Sequence, residues 1–126
     1  MNVVRAKADV QFATIAPAGF RILAALDALA RTLRKDILLT CGTEAHTNPD
    51  PHATGEAYDV GLVGWTPADI TTALATLRAT LGPAFTVLYE VAQRPSDPAL
   101  AALAFVNPKA TGPHFHIQRT INTVYP

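Results

Sequence analysis

The chain has 126 residues, 49% of them apolar, and ten basic residues balance ten acidic ones for a formal net charge of zero. This size suits a single domain with one core, and the apolar share argues against disorder. With balanced charge and no basic run, neither nucleic acid nor an anionic membrane surface is an expected partner.

Met1–Gln11 is charged and mixed, without the apolar core of an export signal, and no stretch is long enough to span a membrane. The chain is therefore expected to be made and folded in a cytoplasm. Val10, Phe12 and Ile15 suggest a strand near residues 8–15. Pro17 opens a helix, since proline is tolerated in the first turn. Leu23, Leu26, Ala30 and Leu33 then fall at helical spacing, and Arg31, Arg34 and Lys35 complement the dipole where the helix should end.

Residues 36–41 form a short apolar run that reads as a buried strand ending in Gly42. Residues 42–55 contain prolines, glycines, an Asn and an Asp, and form a long loop of the kind that is often functional. Residues 56–63 alternate as a second strand carrying Asp59. Thr66-Pro67-Ala68-Asp69 is a capping-box-like helix start; Ile70, Leu74, Leu77 and Leu81 follow on one face, and Gly82-Pro83 stops the helix. Phe85–Val91 is a third strand. Residues 93–112 are an irregular insertion in which Ala99–Phe105 has room for one or two helical turns, and Pro113–Arg119 is the closing strand. This order predicts a single α+β domain, with a small, mainly antiparallel sheet and helices packed on one face.

All four histidines lie in two windows, His46 and His52 in the long loop and His114 and His116 on the last strand. On a strand, residues i and i+2 share a face. His114 and His116 therefore project together while Phe115 and Ile117 face the core. They can be surface or core histidines, or two imidazoles aimed at one point. His52 and Asp59 add an imidazole and a carboxylate, with the small residues Gly55 and Ala57 between them. Two histidines and an aspartate suit zinc and leave a fourth position for water, the pattern of a catalytic rather than a structural site. Structural zinc favours thiolates, and only Cys41 is present, read here as a small buried residue ending its strand.

His52-x-x-Gly55-x-Ala57-x-Asp59, followed by Val60, resembles the first zinc motif of the D-Ala-D-Ala carboxypeptidase/Hedgehog superfamily, which includes the L-alanyl-D-glutamate endopeptidases of phage lysins. Thr40-Cys41-Gly42 resembles the strand end that precedes that motif, and His114-Phe115-His116-Ile117 resembles the closing His-x-His strand. The likeness is to short phage-type members and runs over roughly residues 36–119. It implies a Zn2+ cofactor held by His52, Asp59 and His116, with His114 beside the metal to position or polarise a substrate carbonyl. It also implies a zinc metallopeptidase of DD-/LD-carboxypeptidase or endopeptidase type, cutting peptidoglycan stem peptides at a bond involving a D-amino acid. Such a protein would serve as a phage lysin or a virion-associated component.

Two departures bear on that expectation. Relatives often place an acidic residue just before the closing histidine, where this chain has residues 109–113 without a carboxylate. Glu90 then becomes the candidate general base, resembling the glutamate of the V-x-x-E strand in short members. Glu44 is a second candidate, and Glu56 is expected to face solvent. The substrate-gripping arginine found after the strand-end glycine in many members is absent, since no Lys or Arg lies between Lys35 and Arg78. Glu44 and His46 occupy that region, and Arg94, Lys109 and Arg119 are left as candidate cations. The competing expectation is a zinc-binding module that does not catalyse; a bland α+β domain without metal is the third.

Overall fold

The computed structural model describes residues 2–44 and 50–120. The elements are β1 (Val4–Ala6), α1 (Pro17–Leu33), β2 (Ile37–Cys41), β3 (Ala57–Gly61), α2 (Pro67–Leu81), β4 (Phe85–Val91), α3 (Pro98–Leu103), β5 (Ala104–Val106) and β6 (His114–Arg119). They build one six-stranded sheet in the order β1-β2-β3-β6-β4-β5. The outer pairs, β1/β2 and β4/β5, are parallel, and the inner pairs are antiparallel. The fold is thus α+β with a mixed sheet whose centre is antiparallel. The last strand in sequence, β6, lies between β3 and β4, so residues far apart in the chain become cross-strand neighbours.

One face of the sheet is the core face. Tyr58, Val60, Phe115 and Ile117 are fully buried there, together with Val87 and Tyr89. Alternation then sends Asp59, His114, His116 and Glu90 to the opposite face. In α1 the buried residues are Ala18, Gly19, Ile22, Ala25, Leu26, Leu29 and Ala30. The expected stripe is therefore rotated: Ile22 and Leu29 are central, while Leu23 and Leu33 pack at its margin. The helix is apolar around much of its circumference, so spacing alone does not fix which row points inward. It ends at Leu33 because Arg34 turns left-handed (φ 53°) and its N–H bonds Ala30 O. α2 starts as expected: Thr66 accepts from Asp69 N, and the Asp69 carboxylate accepts from Thr66 N.

The strand expected near residues 8–15 does not form. Its backbone is taken by the long loop instead: Gln11 N donates to Glu44, Ala13 N to the Thr43 hydroxyl, and Gln11 O accepts from Thr43 N. The edge strand lies earlier, at Val4–Ala6, paired in parallel with β2. The 93–112 insertion is also more ordered than expected. Asp97 caps α3 by accepting from Leu100 N, and the chain then runs straight into β5 beside β4. Phe105 is thus a strand residue rather than a helical one.

Gly55 and Gly19 seat the functional loop on α1. Gly55 has a left-handed φ of 74°, and a Cβ on it would run into the Thr14 carbonyl; a Cβ on Gly19 would run into the Gly55 carbonyl. The Ala16 N–H donates to that same Gly55 oxygen at 3.3 Å. Gly55→Ala combines steric overlap with a disfavoured backbone. It is expected to lower unfolding free energy by at least about 2 kcal/mol, read from urea denaturation.

Candidate metal centre

Asp59 on β3 lies directly opposite His116 on β6. Its Oδ1 is 2.9 Å from His116 Nδ1 and 3.4 Å from His52 Nε2. The two imidazole rings are 5.1 Å apart, centre to centre. His52 reaches this point from the loop, where Asp50 Oδ1 accepts its backbone N–H at 2.8 Å. Although loop-borne, His52 is only 5% exposed, so its ring is held within the fold.

The outward nitrogens settle which ring atoms face the centre. His52 Nδ1 is 3.2 Å from Gly42 O. A carbonyl can only accept, so Nδ1 carries the proton and Nε2 presents a lone pair towards Asp59. His116 Nε2 is 2.6 Å from Gln118 Oε1, and the Gln118 amide is oriented by donating its own N–H to Arg119 O at 3.2 Å. His116 Nε2 therefore carries the proton, and Nδ1 presents its lone pair to Asp59. Two imidazole lone pairs and a carboxylate converge, an arrangement that repels itself unless protons or a cation lie between. Ring nitrogens fixed by outer oxygen acceptors are the usual support of metal-binding histidines. Ligands at 2.0–2.1 Å in a tetrahedron are separated by about 3.3 Å, and the two distances to Asp59 Oδ1 are close to that, while His116 lies outside the 4.8 Å group formed by Cys41, His52 and Asp59.

The same conflict appears in the acidities. Burial alone would raise the Asp59 carboxyl, but bonds from His116 and His52 hold it well below the usual carboxylate range. Burial would lower His116, and the bonds to Asp59 and Gln118 more than offset it, so its pKa is raised. Asp59 is thus held ionised, and His116 favours a second proton on Nδ1, at the position between them where a cation fits.

Cys41 enters this cluster through a bulge. Leu39 pairs with Val60 and Cys41 with Asp59, so β2 spends an extra residue, Thr40, against β3. Regular alternation from Ile37 and Leu39 would put Cys41 on the core face. The bulge turns it to the Asp59 face, and Gly61 makes room, since a Cβ there would press on Thr40 Cγ2 at 2.9 Å. Ligand atoms of Cys41, His52 and Asp59 lie within 4.8 Å of one another, a group able to hold a metal ion. Cys41 does end its strand, as read, but it is half-buried rather than buried and lies on the site face. Burial first, then the carboxylates of Asp59, Glu44 and Asp50, push its thiol up to about 12. A cation held beside it would oppose that balance.

Next along the same face stand His114 and Glu90, paired across β6 and β4. The 93–112 insertion does not separate them, because the two strands pair through to Glu90. His114 Nδ1 is 2.9 Å from Gly112 O, so it carries a proton, and His114 Nε2 is 3.2 Å from Glu90 Oε2. An imidazole and a carboxylate in contact are the equipment of an acid–base couple.

Other candidates are engaged elsewhere. The Glu44 carboxylate accepts from the N–H groups of Gln11 and Gly42, both at 2.9 Å, and closes the loop base. Burial opposes its charge, yet these backbone bonds leave its pKa lowered. Glu56 does not face solvent as a free carboxylate: it accepts from Arg119 Nε and from the Thr54 hydroxyl. Arg119, a candidate substrate cation, is thereby committed to an ion pair. Arg94 donates to Ala101 O within the insertion. His46 lies outside the described residues. Gln118 was the residue missed in sequence, although continuing the alternation from His116 by two positions reaches it.

No protein-family model, curated protein or solved structure matches the chain. Among the described residues, no helix is long and apolar enough to cross a membrane.

Proposed function

We propose that the protein is a zinc-dependent peptidase that cleaves peptidoglycan stem peptides at a bond involving a D-amino acid, in the manner of a phage lysin or virion-associated enzyme. The observation that carries the zinc reading is the meeting of two imidazole lone pairs and a carboxylate, each imidazole fixed from behind by an oxygen acceptor. His52, Asp59 and His116 would hold the ion. When bound there, zinc supplies Lewis acidity, bringing the pKa of water to about 7 and polarising a carbonyl.

The chain's own residues supply the proton traffic. Glu90 Oε2 accepts a proton from the attacking water and returns it to the leaving amine. His114, fixed through Nδ1–H to Gly112 O, shares that proton at Nε2 and can donate a hydrogen bond to the developing oxyanion. The substrate class rests on the resemblance of the His52–Asp59 stretch and of the His114–His116 strand to the D-Ala-D-Ala carboxypeptidase/Hedgehog superfamily.

A second reading, a zinc-binding module without catalysis, is favoured by one observation. Arg119 is spent on Glu56, and no Lys or Arg occurs between Lys35 and Arg78 to grip a substrate carboxylate. Metal analysis of the purified protein, together with release of soluble fragments from purified peptidoglycan, separates the two. The peptidase reading expects about one zinc per chain and fragment release that stops on chelation. Stoichiometric zinc without release supports the module, and absence of zinc removes both.

A further inference from the structure

We propose that Cys41 is a fourth protein ligand of the metal, so that the resting centre is closed by its thiolate. The inference rests on the zinc reading of the site but not on peptidase activity.

Two independent observations carry it. The first is proximity: a ligand atom of Cys41 lies within 4.8 Å of those of both His52 and Asp59. The second is the bulge at Thr40. A regular ladder would point Cys41 into the core with Leu39; the extra residue sets it opposite Asp59. Bulges commonly re-aim a side chain beside a functional site, and here Gly61 accommodates the displaced Thr40. The Gly42 carbonyl that orients His52 follows Cys41 directly, so one turn of chain places both ligands.

Cys41, His52 and Asp59 form one group within 4.8 Å, and His116, 2.9 Å from Asp59 through Nδ1, would have to close in beside them to complete the four positions of tetrahedral zinc. On binding, the thiol gives its proton to solvent and the thiolate takes the place that water needs. The centre is then latent, and turnover requires Cys41 to leave the metal. Loss of the thiol should loosen the metal and free the position.

The test is cobalt(II) substitution of the wild-type protein and of Cys41→Ser. Wild type is expected to show near-ultraviolet thiolate-to-cobalt charge-transfer absorption; the variant should keep the visible ligand-field bands and lose that absorption. Competition with a chromogenic chelator should show zinc held at least about tenfold less tightly by the variant. Because Cys41 is the only cysteine, alkylation of the wild type provides a check that needs no variant: zinc should slow it at least about tenfold. Cobalt bound without charge transfer, or alkylation indifferent to zinc, overturns the proposal. Failure to bind cobalt at all overturns the zinc reading with it. Charge transfer without any fragment release, in wild type or variant, leaves Cys41 a ligand and removes the peptidase.

Discussion

Glu90→Gln is expected to cut fragment release from peptidoglycan by about 10²–10⁴-fold, the usual worth of a positioned acid–base group, with zinc content unchanged. The substitution keeps side-chain size and can still hydrogen-bond His114 Nε2, from which Glu90 Oε2 is 3.2 Å. It removes only the group able to take a proton. Glu90 pairs with His114 and is none of His52, Asp59 and His116, the residues proposed to hold zinc, so metal binding should persist. Turnover near the wild-type level would take Glu90 out of the scheme. Loss of zinc together with activity would make it a structural support instead.

Asp59→Ala should have the larger effect on the protein itself. Asp59 Oδ1 is the atom both imidazoles approach, so its removal takes away one of the residues proposed to hold zinc. Zinc content should fall close to zero. In the wild type, a ligand present at a thousandfold over its Kd contributes about 4 kcal/mol of stability. Chelation should therefore lower the wild-type Tm by on the order of 10 °C, whereas the variant should not respond.

The pH dependence of the two wild-type forms should diverge. Without metal, the depressed Asp59 carboxyl contributes stability above its ordinary 3.8 that is lost as pH falls. The raised His116 contributes stability that is full below its ordinary 6.5 and is lost as pH rises through its folded value. The chelated protein should thus keep the Asp59 contribution and lose that of His116 as pH rises above 6.5 through its raised folded value. Metal binding requires neutral imidazole and strengthens over the same interval. The Tm gap between zinc-loaded and chelated protein should widen with pH, and a gap that narrows would refute His116 as a ligand.

Much of this was legible in the residues. The Thr66 capping box, the Gly82-Pro83 stop and the alternation of Phe85–Val91 each depend on local chemistry, and the elements formed where that chemistry put them. The failures have a common cause. Val10, Phe12 and Ile15 look like a strand until Thr43 and Glu44, some thirty residues away, claim the backbone N–H groups of Ala13 and Gln11. β5 was missed because a three-residue strand carries almost no periodic signal, and only β4 beside it makes it one.

By itself the sequence determined the α+β class and the two histidine windows. It also determined that His114 and His116 share a face, because side-chain direction in a strand follows from local backbone geometry. Only the tertiary structure decided that β6 runs between β3 and β4, setting Asp59 against His116 and Glu90 against His114. It alone turned Cys41 towards the Asp59 face, through an extra residue at Thr40 accommodated by Gly61. Strand order and bulges are set by pairing and packing between distant segments, and no local spacing encodes them.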